Sequence, residues 1–262
     1  MKKILIVGLG SIGKKHLSAA LNLNCEIDVI SKHANNSNEF NLIKNLVNNK
    51  TYDLGIICSV TSSHISDLFK ICKHCKTIIV EKPIYHKKIS PKLKIRLDKI
   101  TSQVVLGFNL RYLEIIIFLK EYLNNKKILK IENVFWDDSR KWYSGREFEK
   151  LYVSNKSLGG GSLLTNIHEL DYIKFISNSE ILKLNKTIKI NEDYDVDESC
   201  IIEGLLENGI RFKSSLSIFS SVRVRTGSIV TSNEELKWNL DKGIITSNTS
   251  GLIFNNETNY LK

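Results

Sequence analysis

The stretch from Lys3 to Gly13 reads KILIVGLGSIG and decides the fold. Its apolar, β-branched first half predicts a buried strand, and G-x-G-x-x-G follows at Gly8, Gly10 and Gly13. In such a turn the first glycine allows a tight bend, the second lets the backbone approach a pyrophosphate, and the third lets a helix pack on the strand. The start of that helix offers free N–H groups to phosphate oxygens. The predicted phosphate-binding residues are Gly8, Gly10, Ser11, Ile12 and Gly13.

Apolar runs and stretches with helical spacing alternate in the first half of the chain. The runs lack polar alternation, which indicates strands buried on both faces. Strands that alternate with helices predict a parallel sheet covered by helices on both sides. The predicted strands are residues 3–7, 26–31, 54–59, 77–80 and 104–108. The predicted helices are residues 12–23, 38–49, 63–75 and 87–100, with Thr61 or Ser62 as the cap of the third.

The rhythm changes after Leu110, and the rest of the chain predicts a second kind of domain. Two helical stretches, 112–124 and 162–177, are separated by a strand at 128–136 and an aromatic, charged segment. Later strands are predicted at 181–190, 200–206, 211–219 and 222–231, and hairpins such as Glu207-Asn208-Gly209 join them. We therefore expect an α/β chain. Residues 1–120 would form a doubly wound parallel sheet and residues 121–262 an α+β domain.

Composition places the chain among ordinary globular proteins. Of its 262 residues 42% are hydrophobic, and no apolar run approaches the ~18 residues that span a bilayer. The net charge of +10 suits acidic partners such as phosphates, but no motif for reading nucleic acid accompanies it. Five cysteines favour reduced thiols, and the Cys-x-x-Cys at Cys72 and Cys75 lacks the second pair of a zinc site. We expect a cytoplasmic protein with a small-molecule ligand, and with no membrane, nucleic-acid or metal partner.

The end of the second predicted strand bears on the choice of nicotinamide cofactor. An acidic residue there would bind the ribose hydroxyls of NAD, whereas a basic one accommodates the 2′-phosphate of NADP. The strand ends at Ser31 and Lys32, which could hold a phosphate, and Asp28 lies earlier, inside the strand. The pattern favours NADP, with NAD as the alternative. A lysine in a solvated loop would explain Lys32 equally simply.

Five segments, in order, resemble the Gfo/Idh/MocA oxidoreductases. They are GLGSIGKKH at 8–16, CSVTSSH at 58–64, KTIIVEKPI at 76–84, GFNLRY at 107–112 and GGGSLLTNIHELDY at 159–172. The resemblance implies a Rossmann domain followed by a large, mostly antiparallel sheet whose open face pairs subunits into a homo-oligomer. It also implies hydride transfer between NAD(P) and a hydroxyl-bearing carbon of a sugar, cyclitol or nucleotide sugar. Relatives with similar segments lean towards surface-glycan biosynthesis.

Lys82 and His168 are the candidate catalytic residues. Lys82 follows the fourth predicted strand at the edge of the sheet where ligands bind, and Pro83 restricts its backbone to extended conformations. A lysine there could polarise the oxygen of a substrate, and a histidine could pass its proton. A lone histidine is more often structural, but the resemblance implies that both positions meet at the reacting carbon.

The resemblance also implies contacts with cofactor and substrate. Aromatic and polar side chains in residues 137–152 suit a sugar ring, and Tyr152 fills the place of a tyrosine found in relatives. Beyond the glycine turn, the expected cofactor contacts are Ser31, Lys32, Ser59, Thr61, His64, Glu81 and Lys82. The expected substrate contacts are Arg111, Tyr152, Thr165, Asn166 and His168.

Two departures from the family pattern open an alternative. Many relatives carry an aspartate where this chain has Thr165, and a hydroxyl cannot supply a charge near His168. Relatives are also expected to continue beyond Lys262, so the sheet would be smaller or completed by a partner subunit. The alternative is a catalytically weak or inactive NAD(P)-binding sensor or scaffold. A third reading is the acid–base chemistry of the glycosidases in this family.

Overall fold

The structure, a computed structural model, describes residues 1–32, 34–35, 37–46, 49–142, 145 and 147–256. The chain divides into two units. The first is Met1–Gly107 with Ser157–Gly159, and the second is Phe108–Lys156 with Gly160–Lys262. The division falls before the boundary expected at residue 120, because Ile115, Ile116 and Leu119 are buried in the core of the second unit.

A six-stranded parallel sheet forms the first unit. Its strands are β1 (Lys2–Val7), β2 (Cys25–Ile30), β3 (Asn41–Leu42), β4 (Tyr52–Ile57), β5 (Cys75–Val80) and β6 (Gln103–Leu106). Helices α1 (Ser11–Leu21), α2 (Thr61–Ile71) and α3 (Pro91–Leu97) connect them. The order β3-β2-β1-β4-β5-β6 changes winding direction at β1, where open parallel sheets bind their ligands. The predicted doubly wound sheet is confirmed.

Strand β1 is apolar and buried on both faces, as its lack of polar alternation predicts. In β1, Leu5 and Val7 belong to one buried cluster, whereas Ile4 and Ile6 belong to another. Successive side chains of a strand point to opposite faces, so the two clusters lie on opposite sides of the sheet. This double burial fixes the carboxyl end of β1, from which the glycine turn departs.

The helix predicted over residues 38–49 is wrong. Asn41 and Leu42 pair with β2, and the Ile43 N–H donates to the Val29 carbonyl (2.9 Å). The Asn41 side chain also donates to Asp28 (3.2 Å). Asparagine and serine compete with the backbone for hydrogen bonds, which weakens helical spacing as a signal here. Residues 47 and 48 of the predicted helix lie outside the described residues.

Helix α2 begins at Thr61 itself, so neither Thr61 nor Ser62 is its N-cap. The cap position is Val60, and no side chain caps the helix. Thr61 is buried because the backbone of Gly159 packs on it: a Cβ added to Gly159 would lie 2.7 Å from the Cβ of Thr61.

An eight-stranded sheet forms the second unit. Its strands are β7 (Ile128–Asp138), β8 (Ile181–Ile190), β9 (Asp197–Leu206), β10 (Arg211–Ser217), β11 (Phe219–Thr231), β12 (Glu235–Asn239), β13 (Ile244–Ser247) and β14 (Gly251–Asn255). The order is β14-β13-β12-β11-β7-β10-β9-β8. Only β7 and β10 pair in parallel among the described residues, so the mostly antiparallel sheet is confirmed.

Helices α4 (Glu114–Tyr122), α5 (Ser162–Thr165) and α6 (His168–Ser177) complete the second unit. The helix predicted over residues 162–177 is divided into α5 and α6 because Asn166 leaves helical geometry, with φ of −106° and ψ of 24°. Buried residues of α4 and α6 share one core with the inward side chains of the sheet. On the other face, Trp136 is 37% exposed and donates to the Ser215 hydroxyl (3.0 Å).

Neither a membrane-spanning helix nor a metal cluster is found in the parts of the chain that the structure describes. No helix there combines the length and the apolar character needed to cross a bilayer. No three histidine, cysteine or acidic side chains gather there as metal ligands would. Cys58, Cys75 and Cys200 are buried free thiols, and burial raises the pKa of Cys200 to about 11.

Candidate functional site

The glycine turn lies at the carboxyl end of β1. Gly8 has φ of +92°, and a Cβ on it would lie 2.7 Å from the Ser59 nitrogen. A Cβ on Gly13 would lie 2.2 Å from the Gly8 carbonyl oxygen, whereas a Cβ on Gly10 would meet no atom within 4 Å. The turn is closed where the helix meets the strand and open at Gly10, as a bound pyrophosphate requires. The exposed residues of the turn are Gly10, Ser11 and Ile12.

The amino end of α1 is available to an anion. No side chain caps this helix, and its first turn contains no acidic residue. Its first N–H groups lack partners within the helix, and the helix dipole adds positive partial charge there. Open space at Gly10 and uncapped donors beside it fit the phosphates of a dinucleotide.

Asp28 is committed to the interior of the first unit, as the sequence led us to expect. It is 1% exposed, accepts from the Tyr52 hydroxyl (2.6 Å) and pairs with Lys50 (2.6 Å). Burial opposes ionisation of this carboxyl, but hydrogen bonds from Lys50, Tyr52 and Asn41 outweigh it and lower its pKa. At the end of β2, Ser31 is half-buried and Lys32 exposed.

Lys82 lies in the loop that follows β5. Its neighbour Glu81 donates its N–H to the Ile57 carbonyl (3.0 Å). The Glu81 carboxylate contacts the His16 ring (Oε1 to Nε2, 2.8 Å). The Lys82–Pro83 peptide bond is cis. Lys82 is half-buried at the same edge of the sheet as the glycine turn.

Several expected cofactor contacts in the first unit have protein partners. The Ser59 hydroxyl donates to Asp67 (2.7 Å). His64 is 1% exposed, and its ring nitrogens lie 2.8 Å from the carbonyl oxygens of Ser59 and Pro83. The side chains of Ser59, His64 and Glu81 thus already have protein partners, and their contact with a cofactor stays a prediction. Sequence reasoning missed His16, although its spacing of three residues after Gly13 puts it on the helix that leaves the turn.

His168 is the first residue of α6 and is half-buried. Its ring meets that of Phe108 edge-on, with 5.8 Å between centroids. Arg111, an expected substrate contact, forms two hydrogen bonds with Asp171 of the same helix (2.7 and 2.5 Å). This bond pattern holds the guanidinium in place and raises its pKa. Arg111 and Asp171 therefore anchor α6, and a substrate contact by Arg111 stays a prediction.

A buried polar network that sequence reasoning missed lies behind His168. Glu169 is 0% exposed, and its Oε1 accepts from Nε and Nη2 of Arg225 on β11 (3.0 and 2.6 Å). Asn133 of β7 donates to the Glu169 carbonyl (2.8 Å) and to the Tyr172 hydroxyl (2.7 Å). Burial raises the pKa of Tyr172. The network pins the start of α6 to the sheet. The sequence signal for this network is Arg225, a charged residue at an inward position of β11. A buried charge requires a partner, but the sequence does not show which residue that partner is.

The glycines before α5 adopt a shape that only glycine allows. Gly161 has φ of +99°, and a Cβ on it would lie 2.0 Å from the Asp197 carboxylate. That carboxylate accepts from the Leu163 N–H (2.6 Å), and burial raises its pKa. Sequence reasoning missed Asp197, because no motif links it to a turn so far away in the chain. Thr165 and Asn166 are buried one turn further on, and Tyr152 is half-buried.

The region contains a buried amide donor that has no hydrogen-bond partner among the described residues and could bind a ligand. It is the Nδ2 of Asn166, in a residue that is 4% exposed. An amide donor left without a partner costs free energy, which a ligand oxygen could relieve. The Nδ2 of Asn166 can therefore donate to a ligand oxygen, and its contact with a substrate stays a prediction.

The expected residues are divided between the two units. All expected cofactor contacts, and Lys82, belong to the first unit, whereas His168 and the other expected substrate contacts belong to the second. The convergence of Lys82 and His168 stays a prediction. Within the aromatic segment 137–152, Tyr143, Ser144 and Arg146 lie outside the described residues.

A cleft of about 620 Å³ in the second unit does not involve these residues. It is lined by the carboxyl ends of α4 and α6, including Lys120, Phe175 and Asn178. His168 is at the other end of α6, about 14 Å away along the helix axis. We therefore assign the cleft no part in the candidate site.

Comparison with known proteins gives one related sequence and many related structures. The chain is 26% identical over 232 residues to glucose-6-phosphate 3-dehydrogenase of Bacillus subtilis, covering 80% of this chain and 66% of that enzyme, just under two thirds of its length. No family model matches the chain. Levoglucosan dehydrogenase in complex with NADH and levoglucosan matches with a TM-score of 0.82 and 15% identity, over 97% of this chain and 79% of that one. The chain has the fold of the Gfo/Idh/MocA oxidoreductases.

The same fold extends to a protein of another kind. A super-repressor mutant of Gal80p from Saccharomyces cerevisiae matches with a TM-score of 0.78 and 16% identity, over 99% of this chain and 82% of that one. At these identities the likeness shows the fold alone. Function has to be argued from the site, because one fold can host several functions.

Proposed function

We propose that the protein is an NAD(P)-dependent oxidoreductase of a sugar, a cyclitol or a nucleotide sugar. The observation that carries the proposal is the glycine turn, open at Gly10, in a chain that has Lys82 and His168 at the catalytic positions of the resemblance. The glucose-6-phosphate 3-dehydrogenase match and the levoglucosan dehydrogenase structure support a sugar-like substrate. A role in surface-glycan biosynthesis stays a prediction.

Cofactor binding, substrate binding and proton transfer are assigned to different residues of the chain. A bound nicotinamide would accept or supply the hydride. Gly10 and the amino end of α1 would hold the phosphates. Lys82 would bind the substrate oxygen and favour its negative charge, and His168 would pass the proton of that oxygen to solvent. The buried Nδ2 of Asn166, together with the Thr165 hydroxyl, would bind neighbouring hydroxyl groups.

The finer choice of cofactor falls on NADP. Asp28 is engaged inside the sheet and cannot serve as the acidic ribose ligand of NAD. Lys32 and Ser31 at the end of β2 offer an ammonium and a hydroxyl to a 2′-phosphate. The levoglucosan dehydrogenase structure contains NADH, so NAD is the alternative to compare.

A turnover screen tests the proposal. The protein is incubated with NADP or NAD and a panel of sugars, sugar phosphates, cyclitols and nucleotide sugars, and nicotinamide absorbance is followed. Replacing Lys82 by Met or His168 by Gln should lower kcat by ~10²–10⁴ while cofactor affinity stays nearly unchanged. Lys87→Met, at an exposed lysine of the same loop, is the control.

A nucleotide-binding sensor or scaffold is the second candidate. Thr165 replaces the aspartate of many relatives, and the Gal80p match places a super-repressor protein on the same fold. This candidate would bind NADP with unchanged affinity in the Lys82 and His168 variants and turn over no member of the panel. Turnover that depends on both residues would exclude it.

A further inference from the structure

The ring of His64 lies between two backbone carbonyl groups in the first unit. Nδ1 is 2.8 Å from the Pro83 oxygen and Nε2 is 2.8 Å from the Ser59 oxygen. The side chain is on α2 and is 1% exposed, so water does not compete for either contact. The ring thus joins the turn between β4 and α2 to the loop that carries Lys82.

Both contacts can be hydrogen bonds only if both nitrogens carry hydrogen. A carbonyl oxygen accepts and never donates, and a neutral imidazole has one N–H and one lone pair. In a neutral His64 ring, the lone pair of the unprotonated nitrogen would face a carbonyl oxygen at 2.8 Å. These two buried acceptors would repel each other, since neither can donate a hydrogen bond. We infer that His64 is a buried imidazolium clamp that positions Lys82, and that it is not a ligand of the cofactor.

The charged and titratable groups around His64 are compatible with this charge. The Asp67 carboxylate, 7% exposed and on the same helix, accepts from the hydroxyl of Ser59, whose carbonyl receives Nε2. Burial first, and then the charge of Lys87, lower the pKa of His86. Both ring nitrogens of His86 are buried without a hydrogen-bond partner among the described residues.

The clamp acts on Lys82 through the backbone on both sides of it. On one side, Glu81 is held by its N–H to Ile57 and by its carboxylate to His16. On the other side, the carbonyl of Pro83 is held by His64. With both neighbours held, the backbone of Lys82 has little freedom. A displacement of about 1 Å at a catalytic group can cost ~10²-fold in rate.

The charge is tested on the free protein by long-range ¹H–¹⁵N correlation NMR of its histidine rings at pH 7.5. His64→Gln assigns the signals of His64. His74, whose Nδ1 faces a single carbonyl (Lys50, 3.0 Å), serves as the internal comparison. We expect two protonated nitrogens at His64. One nitrogen with a free lone pair would overturn the assignment, whether or not the protein is an enzyme.

The positioning role of His64 rests on the proposed function. It is tested by comparing the effect of His64 variants on kcat with their effect on the dissociation constant for NADPH. His64→Gln and His64→Asn should lower kcat ~10- to 100-fold and leave the dissociation constant for NADPH within about twofold. His74→Gln should change neither. A large loss of NADPH affinity with unchanged kcat would overturn the clamp and make His64 a cofactor ligand.

Amide hydrogen exchange distinguishes failure of the His64 clamp from failure of the proposed oxidoreductase function. In His64→Gln, amides of residues 81–86 should exchange at least tenfold faster, while those of β1 and β4 stay protected. If the wild type turns over no substrate but the loop loosens in the variant, the proposed function fails and the clamp stands. If the loop exchanges at the wild-type rate, the clamp fails.

Discussion

Asp28 shows how a single buried carboxylate is kept charged in this molecule. It is held by Tyr52 (2.6 Å) at the start of β4, by Lys50 (2.6 Å) just before that strand and by Asn41 (3.2 Å) on β3. The short strand β3 and the start of β4 are thereby tied to β2. Because the hydrogen bonds favour the ionised form more than burial disfavours it, the carboxyl pKa is lower in the folded protein.

This lowered pKa predicts a pH-dependent contribution to stability. The folded protein binds the Asp28 proton less tightly than the unfolded chain, so the stabilisation is complete above the ordinary pKa of 3.8 and is lost as pH falls through the folded value. Asp28→Asn should therefore lower the free energy of unfolding by about 1–3 kcal/mol at pH 7 and by less below about pH 4. Urea unfolding at several pH values measures both. Asp98→Asn, at an exposed ion pair with Lys94, is the control and should change little.

The exposed Lys32 is the residue on which cofactor choice should turn. Lys32→Asp exchanges an ammonium for a carboxylate at the end of β2, which favours ribose hydroxyls over a 2′-phosphate. NADPH should bind more tightly than NADH in the wild type, and the variant should reverse the order, with a loss of ~1.5–3 kcal/mol for NADPH. Fluorescence titration of the reduced cofactors decides it. Equal affinities before and after the change would remove Lys32 from the site.

Motif positions predicted which residues belong to the candidate site, but they did not predict the protein partners of each side chain. Gly8, Gly10 and Gly13 could be assigned roles because their function is steric and local. The partners of His64 could not be, since a buried side chain is satisfied by backbone from a segment that no motif includes. The pairing of Glu169 with Arg225 escaped prediction for the same reason.

At the scale of elements, the turn between β1 and α1 must let the helix pack closely on the strand and must also leave space in front of the helix. Different glycines meet these two requirements. Gly8 and Gly13 allow the helix to approach the strand, whereas Gly10 leaves a space in front of the helix. Strand and helix periodicity predicted most elements of the first unit, because strands such as β1 and helices such as α1 and α2 have regularly spaced buried residues. The segment 38–49 failed because its two-residue strand is defined by pairing with β2 and not by any period.

Alanine at Gly10 and at Gly13 should therefore give opposite results. Gly10→Ala points a methyl group into open space, so the fold should keep its stability while dinucleotide affinity falls at least tenfold. Gly13→Ala places a methyl group 2.2 Å from the Gly8 carbonyl oxygen and should cost about 3 kcal/mol of stability. Thermal unfolding and NADPH titration of both variants provide the comparison. Unchanged NADPH affinity in Gly10→Ala would mean that the phosphates bind elsewhere.

At the scale of the whole molecule, one face of the sheet in the second unit packs on none of the helices that the structure describes. Trp136 lies on this face, and Val222 of β11 is 54% exposed. The strands of the sheet were readable from the sequence as hairpins, but the parallel pairing of β7 with β10 was not, because it joins strands that are distant in the chain. The prediction that this open face pairs subunits comes only from the family resemblance.

We expect this face to pair two copies of the chain. Sedimentation velocity should show a dimer or higher oligomer, and Trp136→Glu should shift it towards monomer by placing a charge in an apolar contact. Ile95→Glu on α3, at a residue that is 58% exposed in the first unit, is the matched control and should leave the oligomer intact. A wild type that stays monomeric at all concentrations would refute the expectation.

The return of Ser157–Gly159 to the first unit has a consequence for synthesis on the ribosome. The backbone of Gly159 packs on Thr61 and lies against His86, so that unit is incomplete when residue 107 emerges. The first unit is complete only when Ser157–Gly159 have left the exit tunnel of the ribosome. Residues 108–156, which belong to the other unit, leave the tunnel before them. The first unit therefore gains its last contacts late in synthesis, and a chain truncated after residue 107 should lack the packing of Gly159 on Thr61.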